Sequence, residues 1–331
     1  MRWRYAVVVG AVAAVAASGT LVASRLSSGS SLDADERAVV EQVEGGSSVD
    51  AEEAAGLVED NVAVLLSEDV AEEADGSDLA SLFETALRGD AADTVFEAVV
   101  AGVGEEGVLH VPELRPVFGD AAAVRMSWFA PRISALLSEA VEGSGEVHGP
   151  AGSAHIFLWE TMRDPAVAEQ LRRSMADYGQ SEVAGAPVDG EERTARLTRV
   201  GHLQTALTAA HHAAEECAAR LEGNLDAVEA AREADEQRRA EDGVNQAMWV
   251  AQARFARPDQ ALLDAAAGEP FLDAAGGLKT DLSPQEAEAF RDWAVVQARE
   301  EGVLFDDVGP LERGIAQGLL SGQVPCLGLD D

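Results

Sequence analysis

Through most of the chain after residue 33, apolar residues recur three and four positions apart with polar ones between them. That is the period of an α-helix, not of a strand. The pattern predicts helices over 34–44, 50–73, 78–88, 91–102, 120–142, 153–163, 165–181, 191–222, 224–256, 259–267, 284–301 and 309–320, with a break in the fifth at Pro131. Start signals support several of these. Asp50 with Glu53, and Ser283 with Pro284 and Glu286, have the spacing of capping boxes, and Asp164-Pro165 repeats the cap-then-proline order. Gly76, Gly104, Gly143, Gly223, Gly268 and Gly302 each follow a periodic stretch and predict helix ends. The β-branched runs Val108–Val111 and Val324–Leu327 are too short to build a sheet.

The most regular stretch is Val200, Leu203, Leu207, Ala210, Ala214, Cys217, Leu221, Leu225 and Val228, a seam of strict 3–4 spacing interrupted by Gly223-Asn224. Glu229–Asp242 follows as a mixed-charge helical run suited to a solvated surface, and Val244, Met248, Ala251 and Phe255 then resume an apolar face. A long antiparallel helical hairpin turning near Gly223 or Gly243 is the expected consequence. Its narrow seam needs a partner helix, from this chain or from another copy.

The first 26 residues break the pattern. Arg2 and Arg4 precede a charge-free run from Tyr5 to Ser24, and Arg25 closes it. The basic start, the apolar stretch and small residues such as Ala14-Val15-Ala16 match a cleaved secretory signal. The length of the run, its resumption at Leu21-Val22-Ala23, and Trp3 and Tyr5 beside the arginines match a retained membrane anchor. Either way the arginines hold the N-terminus inside, which places the bulk of the chain outside the cytoplasm, anchored in the cell membrane or secreted. The expected organisation is a signal peptide or anchor at 1–26, a Ser/Gly tether at 27–35, a helical domain at 36–183, and the long hairpin with C-terminal helices at 184–331. The fold class is therefore all-α: a helical bundle with a long antiparallel hairpin, preceded by an N-terminal membrane segment.

Composition narrows the partners. The 331 residues include 60 acidic and 24 basic ones, for a formal charge of -36. Setting aside Arg2, Arg4 and Arg25 leaves 21 basic residues against the same 60 acids. Such a surface repels phosphate backbones, so nucleic acid is excluded as a partner. Aromatic residues make up only 5% of the chain, so leucine, valine and alanine must supply the core. The chain has two cysteines, Cys217 and Cys326. They are either two isolated small hydrophobes, as the place of Cys217 on the seam suggests, or a disulfide whose long loop would contribute about 4–5 kcal/mol.

One resemblance emerges from His110–Ala140 (HVPELRPVFGDAAAVRMSWFAPRISALLSEA), Phe157–Val183 (FLWETMRDPAVAEQLRRSMADYGQSEV) and the alanine-rich helices after them. Leu114-Arg115-Pro116 and Arg163-Asp164-Pro165 carry it. Over about residues 90–320 the chain resembles uncharacterised actinobacterial secreted proteins of the "TPR repeat region" type, loosely associated with type VII (WXG-type) export. The resemblance implies a helical secreted or cell-envelope protein and brings no catalytic residues. No 34-residue repeat is visible along the chain.

Candidate chemistry is sparse. His211, His212, Glu215 and Glu216 form two His-x-x-x-Glu pairs on one helix, the spacing from which a zinc or di-iron site can draw ligands. The alternative is a solvated face of i,i+4 pairs, each contributing about 0.2–0.5 kcal/mol. The acidic pairs Asp33/Asp35, Asp90/Asp93 and Asp306/Asp307 lack the ligand alternation, glycine and terminal glutamate of a calcium loop. The chain has no Gly-x-Ser-x-Gly elbow, phosphate loop or dinucleotide fingerprint, so no cofactor is expected. Gly143–Gly152 is glycine-rich but follows no strand, and reads as a linker. Met126, Trp128 and Phe129, and Phe157, Leu158 and Trp159, are bulky clusters expected in the core, with a partner interface as the other possibility. Two functions remain, beside a third possibility of a purely structural coiled-coil spacer. The first is an acidic helical binding, scaffold or export-accessory protein that associates with a protein partner or itself through helices and meets the membrane through residues 5–24. The second is an extracytoplasmic metal-dependent hydrolase or effector centred on His211, His212, Glu215 and Glu216.

Overall fold

The computed structural model describes residues 32, 34–45, 49–141, 150–299, 302–304, 308, 309 and 311. Thirteen helices run in order among them: α1 (Ala34–Gly45), α2 (Ala51–Leu65), α3 (Glu68–Glu73), α4 (Gly76–Ala86), α5 (Ala92–Glu106), α6 (Leu114–Ala123), α7 (Met126–Val141), α8 (Pro150–Thr161), α9 (Pro165–Gly185), α10 (Gly190–Leu221), α11 (Leu225–Phe255), α12 (Gln260–Ala265) and α13 (Pro284–Arg299). The only ladder contact among the described residues is an isolated bridge between Leu272 and Leu278, so the all-α expectation holds. None of the described helices is long and apolar enough to cross a membrane. The expected membrane segment at residues 5–24 lies outside the described residues, as do the tether through residue 31, Val324–Leu327 and most of 309–320.

Local signals set most of the helix starts. Asp50 accepts from the backbone N–H of Glu52 and Glu53 at 3.1 and 3.0 Å. Asp164 accepts from Ala166 and Val167 at 2.8 and 3.3 Å, with Pro165 in the first helical turn. At α13 the box is reciprocal: Ser283 N–H donates to Glu286 at 2.8 Å, and Glu286 N–H donates to the Ser283 hydroxyl at 3.4 Å. Hydrogen bonds from Lys279 and Ser283 hold the Glu286 carboxyl down to about 2.

Several boundaries differ from the pattern, four of them for a plain physical reason. The helix expected over 50–73 divides at Leu66, because Ser67 caps a new helix by accepting from Val70 N–H at 3.4 Å. Gly76 opens α4 behind the cap Asp75, where it was expected to end a helix. α5 runs through Gly104 and stops at Gly107, whose φ of 77° suits glycine alone. The expected break at Pro131 falls instead at Val124-Arg125, and Pro131 sits inside α7 between the buried Ala130 and Ile133. Val108–Val111 is neither strand nor helix; it is a loop whose Leu109 and Val111 are buried.

Two aromatic clusters organise the core. Phe96 meets Phe129 and Phe157 edge-on at 5.8 and 5.5 Å, and Phe118 joins Phe83 and Phe157, binding α4–α8 together. Phe255, Phe271, Phe290 and Trp293 lock the end of α11 to the 266–282 loop and to α13. Both belong to one continuous hydrophobic cluster running from Leu32 to Leu311.

α10 is the central helix, packed against α7, α8, α9 and α11. The seam from Val200 to Cys217 is buried as expected, but so are His202, Gln204, Thr205 and Thr208 on other faces. The helix is therefore enclosed around much of its girth and does not present one narrow stripe. Gly201 permits this, since a Cβ there would lie 2.5 Å from the Leu311 carbonyl oxygen. Leu225, assigned to the seam, is 80% exposed at the hairpin turn.

Candidate functional site

The hairpin of α10 and α11 turns at Gly223 (φ 66°) and Asn224, whose side chain accepts from Ala227 N–H at 3.1 Å. α11 continues unbroken through Gly243. From the turn inward, polar pairs cross between the arms: Glu216 with Arg232 at 3.0 Å, Glu215 with Arg238 at 2.6 Å, Thr208 with Asp242 at 2.5 Å, and Gln204 with Gln246 at 2.5 Å. The α10 numbers fall as the α11 numbers rise, which is the register of an antiparallel pair. The 229–242 run is thus not wholly solvated. Asp235, Arg238 and Asp242 are buried against the neighbouring helices, with Arg172 of α9 at 3.4 Å from Asp242. Burial pushes the Asp242 carboxyl up despite the hydrogen bond from Thr208 and the Arg172 charge.

All four proposed metal ligands sit on this hairpin, already engaged. His211 Nε2 lies 3.3 Å from Glu215, and His212 Nε2 lies 3.0 Å from Glu216. Each carboxylate also takes arginine: Glu215 takes Arg238, and Glu216 takes Arg220 and Arg232. Guanidinium groups at these distances occupy the lone pairs a cation would need and add a repelling charge. The next residue along a helix points about 100° away, so the two pairs do not converge. Among the described residues no three His, Cys, Asp or Glu side chains are grouped to hold a metal ion. Burial and the Arg238 charge push His211 down, favouring the neutral ring. Burial raises Glu216, but hydrogen bonds from Arg220 and Arg232 hold it below its ordinary value.

Cys217 is disulfide-bonded, which removes it as a nucleophile. The other cysteine of the chain, Cys326, lies outside the described residues, as do Asp33, Asp306 and Asp307. Asp93 is paired with Arg125 at 3.0 Å.

Beside the hairpin tip lies a cleft of about 410 Å³. Met162 and Pro165 at the α8–α9 corner form one wall, alanines of α10 and α11 form the floor, and Arg163, Glu215 and Glu222 stand among its lining. At this corner the residues that carried the resemblance converge. Arg163 reaches Glu160 at 3.2 Å, Arg115 Nε donates to the Glu160 carbonyl at 3.2 Å, and the Arg115 guanidinium lies 3.9 Å from the Glu160 carboxylate. Glu160 is fully buried and also accepts from Leu109 N–H at 3.0 Å. Sequence reading passed over Glu160; the available signal was a single acid inside the apolar run Phe157–Met162. The bulky clusters are core as expected: Met126, Phe129, Phe157, Leu158 and Trp159 are buried. Trp128 is half-buried, donates to Glu97 at 2.8 Å and lies under the Arg132 guanidinium at 3.6 Å.

No family model, curated protein or solved structure matches the chain. Function therefore rests on the residues and their geometry.

Proposed function

We propose that this is an exported helical binding protein, held at the membrane by residues 5–24 or released after cleavage, that works as a scaffold or export accessory through its helix surfaces. The disulfide at Cys217 carries the reading, because such bonds persist in oxidising compartments outside the cytoplasm. Further support comes from the engaged state of the polar groups. The imidazole–carboxylate pairs on α10 are tied up with arginine, and the thiol is oxidised. The resemblance to secreted actinobacterial proteins associated with type VII export fits the same role.

Metal analysis of the purified protein, paired with sedimentation over a range of concentrations, tests the reading. The expected result is no stoichiometric zinc or iron, together with association with itself or an added partner. Stoichiometric metal that is lost in His211→Ala, with hydrolytic activity lost alongside it, would overturn the reading in favour of a metal-dependent hydrolase.

A further inference from the structure

Val244 and Met248 share an apolar stripe with Ala251 and Phe255, yet they do not follow them into the core. Ala251 and Phe255 are buried, whereas Val244 and Met248 are half-buried and line a groove of about 640 Å³. Across it stand Val295 and Val296 of α13. That helix commits Phe290, Trp293, Ala294 and Ala298 to the core, with Val295 and, from α11, Met248 packed half-buried at its edge, which leaves Val296 off the buried face. Val296 is 44% exposed. The other exposed large aliphatic residues described, Val124, Val188 and Leu225, lie in turns or at a helix end, so Val296 alone is exposed within a helix.

The groove follows α11 from Gln237 to Met248, about 17 Å or three helical turns at the usual rise. Its charged rim is Glu241 on one side and Arg291 and Asp292 on the other. Glu241 is 53% exposed, accepts from Gln237 Nε2 at 3.0 Å and has Arg172 at 3.9 Å, and Asp292 is 67% exposed with its sequence neighbour Arg291 as partner. These are weak engagements in solvent. A second copy would bring another charge of -36 to this face, so long-range electrostatics disfavour it and favour a cationic occupant.

Resting on the reading of the chain as a binding protein, we propose that the α11/α13 groove receives an amphipathic helix from a basic partner. Its apolar stripe lies on Val244, Met248, Val295 and Val296, and its lysines or arginines face Glu241 and Asp292.

The test uses the full-length protein in nonionic micelles and a labelled 14-residue leucine/lysine peptide that forms an amphipathic helix, with protein-free micelles as baseline. Controls are a scrambled peptide of the same composition and a leucine/glutamate counterpart. The amphipathic basic peptide should bind at least tenfold more tightly than either control. Val296→Asn with Met248→Asn should weaken it at least tenfold while circular dichroism and melting stay close to wild type. Glu241→Gln with Asp292→Asn should weaken it several-fold and flatten its salt dependence. Equal affinity for the scrambled peptide, or unchanged binding by a folded Val296→Asn/Met248→Asn protein, would overturn the proposal. So would a dimer that Val296→Asn dissociates, which would make a second copy the occupant. If the groove variants leave peptide binding unchanged but the protein still associates and carries no metal, the groove assignment fails alone. Metal-dependent hydrolysis would instead remove the binding reading itself.

Discussion

Glu160 ties the α8–α9 corner to a stretch distant in sequence, the 107–113 loop with the start of α6 that directly follows it. Glu160→Ala would leave the Leu109 N–H without its acceptor and bring Arg115 and Arg163 together without their shared carboxylate. A cost of about 3 kcal/mol is expected for breaking a buried pair of this kind, a fall in Tm of about 4 °C. Calorimetry showing less than a 2 °C change would mean that the cluster is incidental. The contrast with Ser283 and Glu286 explains what single residues reveal. A capping box closes over three positions and can be read from spacing, whereas the Glu160 partners Arg115 and Leu109 lie 45 and 51 residues away. Only the fold brings them together.

Among the elements, the hairpin was legible in outline. Its seam, its turn at Gly223-Asn224 and its length follow from periodicity and a glycine stop. The burial of Asp235, Arg238 and Asp242 was not legible, because charge along a helix reads as solvent until a third helix covers it. α9 packs along α11 here: Arg172 lies 3.4 Å from Asp242, and farther along a Cβ on Gly179 would meet the Trp249 indole at 2.7 Å. The same packing changed the meaning of the His211/His212/Glu215/Glu216 cluster, whose ion-pair arginines come largely from the opposite arm. Asp242 allows a direct check. Its carboxyl is raised in the folded protein, so it favours the fold fully below the ordinary carboxylate range, and that contribution is lost as pH rises through the folded value. Asp242→Asn stays neutral throughout. Its stability relative to wild type should therefore grow from pH 3.5 towards pH 7 in paired melts. A relative stability that falls over that interval would contradict the burial argument.

For the whole molecule, all-α architecture followed from composition and period, while the continuity of its core from Leu32 to Leu311 did not. The narrow seam called for a partner helix from this chain or another copy; this chain supplies it, and more widely than one stripe needs, by wrapping α7, α8 and α9 around α10. The disulfide at Cys217 adds a covalent restraint on this assembly. A loop between the chain's two cysteines, the disulfide expected as one alternative from the sequence, would contribute about 4–5 kcal/mol. Thiol titration of the denatured, unreduced protein should find no free cysteine. Reduction should lower Tm by about 6–7 °C. Two titratable thiols, or a melt indifferent to reductant, would remove the main support for an oxidising compartment.

Where the folded part resides decides the rest, and a reporter enzyme reads it directly. A β-lactamase that protects cells only when exported, fused behind Asp331, should confer ampicillin resistance, and deleting residues 1–26 should abolish it. A full-length fusion that accumulates in the cytosol with its leader intact and leaves the cells sensitive would contradict the account.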